Sequence, residues 1–217
     1  GVSGKTLSFV YNAQTKTAAT DGSGVAVMTF DAGASSGAYA HSVSFAGDGT
    51  YTSSNDGAKI VTVQQRPTTV LAVTQAGVYA NDVWTATATL RDTRLANAGV
   101  PSKTISFVYK AVTKTANTDG SGVAVITYDA GSSSGTYGYS ATFAGDGTYG
   151  TSNDLAKTVT VTPRPTNVTA VSATNVYALS VWTATATLRD NLNSNTISGR
   201  SIAFVYKATT RSGTTDG

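Results

Sequence analysis

The chain has 217 residues, 12% of them charged and 40% hydrophobic, with a net charge of +3 and no cysteine. Without thiols it can form neither disulfides nor thiolate metal sites, and its Lys and Arg residues form no cluster that would mark a nucleic-acid surface. No stretch of about 18 apolar residues is present to span a membrane, and a hydroxyl-rich composition in which all twelve acids are Asp fits a strand-rich, extracellular protein.

The chain opens on GVSGKTLSFVY, which returns as GVPSKTISFVY at 99–109. The match runs on at a constant offset of 98, and 45 of the 65 residue pairs between 1–65 and 99–163 are identical. The stretch RPTTVLAVTQAGVYANDVWTATATLRD at 66–92 likewise returns at 164–190, and Asp216-Gly217 aligns with Asp119-Gly120 after a one-residue deletion. We therefore read 1–65 as the C-terminal part of one repeat, 66–163 as a complete repeat and 164–217 as the N-terminal part of the next. A period of this length is a small domain rather than a solenoid turn. Neither end coincides with a repeat boundary, so the chain is expected to be a window of a longer protein. Assembly into a filament by strand exchange is the alternative, but residues 1–22 and 196–217 both correspond to 99–120 and would supply the same strands twice.

In the complete repeat, period-2 patterning predicts seven strands. The first runs over Thr68–Thr74. The second, Val83–Leu90, places Trp84, Ala86, Ala88 and Leu90 on one face and Thr85, Thr87 and Thr89 on the other, as in a sheet with one wet face. Thr104–Lys110 is the third and a short segment near Lys114–Asn117 the fourth. Asp119-Gly120-Ser121-Gly122 carries the Asp-Gly signal of a hairpin turn and leads into Val123–Tyr128. The sixth strand alternates Tyr137, Tyr139, Ala141 and Phe143. The loop GDGTYGTSND then precedes the seventh, Ala156–Thr162. No window reads as a helix.

Seven short strands in 98 residues predict an all-β fold of tandem immunoglobulin-like sandwiches. The expected core comprises Trp84, Leu90, Ile105, Phe107, Val123, Val125 and Phe143. Equivalent residues in the other copies stay apolar where they change, as at Leu7 for Ile105 and Met28 for Ile126.

The segments SKTISFVY, TDGSGVAVITY and FAGDGTY, in this order, resemble the bacterial Ig-like repeat domains of large surface and secreted proteins, over essentially the whole chain. The resemblance implies a stalk or spacer of an adhesin, surface layer or filament, without catalysis of its own. It carries no ligand-binding residues across, because the matching motif is structural.

Chemistry-bearing residues are few. His41, the one histidine, aligns with Tyr139 in the complete copy and has no catalytic partner in view, and neither a Ser/His/Asp set nor a nucleophile elbow can be assembled. No enzyme activity and no cofactor are expected. Calcium is the alternative to no cofactor: Asp48 with Asp56, and Asp146 with Asp154, bracket one loop in each copy and could supply carboxylate ligands. The competing reading, favoured by a loop without a dense Asp/Asn ladder, is Asx-turn chemistry. Lys5 and Lys103 with Asn55 and Asn153 are weaker candidates for an isopeptide cross-link, and Asn167-Val168-Thr169 fits a glycosylation sequon.

Between Val161 and Val168 only Thr162-Pro163-Arg164-Pro165-Thr166-Asn167 separates successive copies, a short and proline-stiffened crossing. The expected role is a semi-rigid structural spacer in a bacterial fibre, stalk or adhesin at the cell surface, partnered by neighbouring copies of the repeat. Any cell-surface or glycan ligand would bind through other domains. A carbohydrate- or surface-binding module is the alternative, motivated by eleven Tyr and by Trp84 and Trp182.

Overall fold

A computed structural model describes residues 1–73, 75–171 and 175–216. Among them the regular structure is entirely β, as the sequence predicts, and no helix is long and apolar enough to cross a membrane. Thr74 and Gly217, which close the expected first strand and the Asp-Gly pair at the end of the chain, lie outside the described residues.

The first segment holds β1 (Thr6–Tyr11), β2 (Gln14–Ala19), β3 (Gly37–Phe45) and β4 (Ser54–Val63), hydrogen-bonded in the order β2-β1-β3-β4. The complete repeat follows with β5 (Thr68–Ala72), β6 (Gln75–Tyr79), β7 (Val83–Asp92), β8 (Ala98–Gly99), β9 (Thr104–Tyr109), β10 (Val112–Asn117), β11 (Val123–Asp129), β12 (Gly135–Phe143) and β13 (Ser152–Thr162). One of its sheets runs β10-β9-β12-β13-β6; the other runs β11-β7-β5, with β8 beside β7. In the last segment, β14 (Thr166–Val171) pairs with β15 (Thr185–Asp190) and β16 (Ser201–Tyr206) with β17 (Thr209–Thr214).

These strands fall into two compact units. One comprises Gly1–Val73, Ala86–Ile126 and Tyr139–Lys157; the other comprises Thr74–Thr85, Thr127–Gly138 and Thr158–Gly217. Each unit gathers one end of the complete repeat with the neighbouring segment.

Two features of the sheets depart from the expected elements. The first strand ends at Ala72, and the chain then enters the other sheet as β6, parallel to β13 with Val78 opposite Val161. The Asp119-Gly120 turn is not a hairpin. It connects β10 to β11, which belong to different sheets, so it is a corner across the sandwich. Asp119 holds that corner through its carboxylate, which accepts from the Ser121 and Val123 amides at 2.8 and 2.9 Å. The true hairpin turn lies at Lys110-Ala111, both with positive φ (45° and 63°), and the same turn recurs at Asn12-Ala13 and Lys207-Ala208. Two residues in this conformation match the right-handed twist of the strands they join.

Burial follows the pleat. On β7, Ala86, Ala88 and Leu90 are fully buried and Trp84 nearly so; Ile105, Phe107 and Phe143 are buried on β9 and β12. Val125 corrects the expected core, because it is 51% exposed and Val123 is only half-buried. On β11 the inward residues are Ala124 and Tyr128, and Ala130 just past its end is buried as well. With a period of two, inward Tyr128 forces odd-numbered Val125 onto the outer face, and Tyr128 is fixed inward by stacking on Trp84 at 5.6 Å between ring centroids.

In the first segment, Leu7 and Phe9 correspond to Ile105 and Phe107 but are only half-buried. The counterpart of β11, residues 25–31, which in 66–163 helps cover this face, forms no strand.

Candidate functional site at the inter-repeat junctions

An Arg-Pro pair recurs at the 98-residue spacing, as Arg66-Pro67 and Arg164-Pro165. Both arginines meet the Asp that ends the Leu-Arg-Asp string 26 residues later. Arg66 Nε donates to the Asp92 carboxylate, and Arg164 Nε donates to Asp190 at 2.5 Å. The aspartates are shaped by their own turns: Asp92 also accepts from the Arg94 and Leu95 amides at 2.9 and 3.3 Å, and Asp190 from the Leu192 amide at 2.9 Å. Both are buried.

The protonation states follow. Burial pushes the Asp92 carboxyl up, but the Arg66 guanidinium and the turn amides outweigh it and hold the group below the usual carboxylate range. Asp190 is lowered by the Leu192 amide and by Arg164. The arginines are raised correspondingly, Arg66 chiefly by Asp92 and Arg164 chiefly by Asp190. An arginine with two or more acceptors on a fixed backbone is a strong and directional cross-link.

At the first junction, within the first compact unit, the loop around Ser35 docks on the Gly-Asp-Gly-Thr-Tyr loop of the complete repeat. The Ser36 amide donates to Gly147 O at 2.6 Å, Thr148 Oγ1 donates to Ala34 O, and Gln65 Nε2 donates to Asp146 O at 2.5 Å. Arg66 continues the seam, its amide donating to Thr148 O at 2.7 Å and its carbonyl accepting from the Gly150 amide at 2.9 Å. Arg66 therefore forms an isolated parallel bridge opposite Tyr149.

At the second junction, within the other unit, Arg164 has partners on both sides of the crossing. Its Nε is bound to Asp190, while Nη1 donates to Asp82 in the turn after β6 and lies 3.4 Å from Ala80 O. A cavity of about 720 Å³ there is lined by Asp82, Ser132, Arg164, Leu188, Asp190 and Arg200, among others.

The calcium candidates are occupied by other chemistry. Asp48 binds Lys5 Nζ at 2.6 Å and accepts from the Thr50 and Tyr51 amides; Lys5 and these amides pull its carboxyl down to about 2. Asp146 repeats the arrangement with Lys103 at 2.6 Å and the Thr148 and Tyr149 amides. The lysines sit over Tyr51 and Tyr149, with ring centroids at 5.0 and 5.2 Å. Asp154 accepts from the Ala72 amide at 3.1 Å and pairs with Lys157 at 3.3 Å, and Asp56 pairs with Lys59 at 3.4 Å. At Asp48, Asp146 and Asp154 an ammonium and backbone N–H donors take up lone pairs that a cation would need, and among the described residues no group of three or more His or Asp side chains could hold a metal.

The other sequence candidates are dispersed. Lys103 pairs with Asp146, their side chains 27% and 33% exposed respectively. His41 lies on β3 opposite Tyr11 and Lys59, with no carboxylate in register beside it. Trp84 is 3% exposed and packed on Tyr128, so it offers no platform to a sugar. Asn167 is exposed on β14 opposite Arg189.

Sequence reasoning missed the clamps. The signal for half of them was present: Arg66 with Asp92 and Arg164 with Asp190 recur at one spacing in both copies. Asp82 had no such signal, because its counterpart in the next copy is Ser180.

No protein-family model and no curated protein matches the chain. Solved structures similar to it include a tetra-tandem repeat in the extending region of a large adhesion protein, with a TM-score of 0.44 and 15% identity over 99% of this chain and 56% of that one. A 1.5-MDa bacterial ice-binding adhesin described for its retention at the host cell surface is similar at TM-score 0.39 and 14% identity, covering 99% and 73%. A Ca²⁺-stabilised adhesin with which an Antarctic bacterium reaches out and binds ice is similar at TM-score 0.30 and 16% identity, covering 98% and 55%. The chain spans little more than half the length of two of these three.

Proposed function

We propose that the chain is a stretch of tandem β-sandwich repeats, divided at 65/66 and 163/164, that acts as a non-catalytic, semi-rigid spacer in a bacterial extracellular fibre, stalk or adhesin. The observation that carries this reading is the Arg164 clamp. One guanidinium binds Asp82 on one side of the Pro163-Arg164-Pro165 crossing and Asp190 on the other. A flexible tether would have no use for such a bond, whereas a spacer depends on holding successive beads in line. The docking of the loop around Ser35 on Gly147 and Thr148 supports the same role, and the burial of Trp84 argues against a sugar-binding face there. Calcium is not required by this mechanism, since the charges at the joints are neutralised by arginine and lysine.

The test is small-angle scattering on concatemers of two, four and six copies of 66–163, whose joints reproduce the natural Pro163-Arg164 sequence because Arg66 is identical to Arg164. The maximum dimension is expected to grow by a constant increment per copy, with or without EDTA. Growth as the cube root of mass, or a collapse of the increment on chelation, would reject the reading. If copies of 66–163 polymerise without being linked, strand exchange replaces it.

A further inference from the structure

We infer that the residue at position 82 sets the bending stiffness of the joint that follows it, by deciding whether the arginine of the next repeat is pinned to the preceding one; this rests on the spacer reading above. Arg66 and Arg164 make the same Nε bond to the Asp of their own repeat. That half of the clamp is internal to a repeat and is present whatever precedes it. The Nη1 half differs in kind, because Asp82 and Ala80 O belong to the other side of the prolines.

Asp82 is well placed for this task because its backbone is fixed. Its amide donates to Tyr79 O at 3.1 Å, its carbonyl accepts from the Ala130 amide at 2.8 Å, and the preceding Asn81 amide donates to Gly131 O at 3.0 Å. Asn81 has φ +64°, a conformation that Asn tolerates better than most residues, so the turn presents Asp82 in one orientation. The Arg164 side chain is 21% exposed, partly shielded from the water that weakens surface pairs. A planar guanidinium bound at Nε on one side and Nη1 on the other cannot rotate without breaking one of the two bonds.

The repeats vary at this place while their surroundings stay the same. Val78-Tyr79-Ala80 and Val83-Trp84 return as Val176-Tyr177-Ala178 and Val181-Trp182, but Asn81-Asp82 becomes Leu179-Ser180. Ser180 has neither the charge nor the reach to bind a guanidinium as a carboxylate does, so a repeat joined after it would keep the prolines and lose the pin. Stiffness would then be written joint by joint into an array whose folded units are nearly alike.

The chain contains no cysteine, so paired spin labels can be placed without background. Labels at Thr160→Cys and Thr169→Cys, both exposed, flank the joint on β13 and β14. Pulsed electron-electron distance measurements on the full 217-residue chain are expected to give one narrow distribution. Asp82→Ser and the isosteric Asp82→Asn are each expected to widen it about twofold, as the crossing reverts to a merely proline-stiffened linker. A narrow distribution in all three chains would overturn the role of residue 82 and leave the spacer reading standing. A broad distribution already in the unaltered chain would overturn both. Circular dichroism melts of the same samples separate a loosened joint, with Tm unchanged, from an unfolded repeat; widening only where Tm falls counts against the inference.

Discussion

At Phe107 the physics is one of packing. The ring is fully buried on β9, where its neighbours along the strand's inner face are Ile105 and Tyr109, also buried. Phe107→Ala should therefore cost about 3–5 kcal/mol, the transfer free energy of the ring plus the cavity it leaves. Val125→Ala, on the outer face of β11, should change stability by less than about 0.5 kcal/mol. Urea denaturation followed by tryptophan fluorescence checks both, and equal losses would mean that β11 has the opposite phase. Val125 also shows what a strand sequence leaves open. Val123, Ala124, Val125 and Ile126 are apolar on both faces, so alternation could not say which set turns inward; the stacking of Tyr128 on Trp84 decides it.

At the scale of elements, the corner between β10 and β11 is the most constrained local structure. Gly122 has φ +79°, and a Cβ there would lie 2.5 Å from Leu90 O and 2.7 Å from the Val100 amide, both of which belong to backbone that cannot retreat. The Gly122 carbonyl meanwhile accepts from the Leu90 amide at 2.8 Å. We expect Gly122→Ala to destabilise the fold by about 2 kcal/mol or more, since left-handed strain and a steric clash act together. Gly120→Ala, two residues away with open space around it, should be near neutral. Thermal denaturation of the pair is the check, and equal Tm values would refute the close approach. The Asp-Gly signal at 119–120 was legible as a turn but not as a corner. Whether a turn returns along the same sheet depends on what β11 can pair with, and its partner β7 lies more than thirty residues back in the chain. Lys110-Ala111 gave the converse difficulty, a tight hairpin without the Asn-Gly that normally announces one.

For the molecule as a whole, the aspartates make acid the natural stress. Asp48 is held at about 2 against an ordinary 3.8, chiefly by Lys5. Asp190 is also lowered, and Asp92, Asp146 and Asp154 are lowered despite burial that pushes them up. A carboxyl with a depressed folded pKa binds fewer protons folded than unfolded. Its contribution is thus complete above the unfolded value near 4 and is lost as the pH falls from there towards 2. Tm should be nearly flat between pH 7 and 5 and should drop by about 5 °C or more between pH 4 and 2.5. A flat profile down to pH 2.5 would show that the Arg–Asp and Lys–Asp pairs contribute nothing to the fold.

The sequence by itself determined the 98-residue period, the all-β class and the inward face of β7, because repetition and alternation are local properties that survive without knowing any partner. It also showed that two prolines, Pro163 and Pro165, lie between β13 and β14. Only the tertiary structure decided the phase of β11, the passage of the first strand from one sheet to the other, and the partners of Arg164. Asp82 and Arg164 are separated by 82 residues. Nothing in the chain between them announces the contact, which exists because β6 pairs in parallel with β13 in one sheet, so that the turn after β6 lies beside the residues that follow β13.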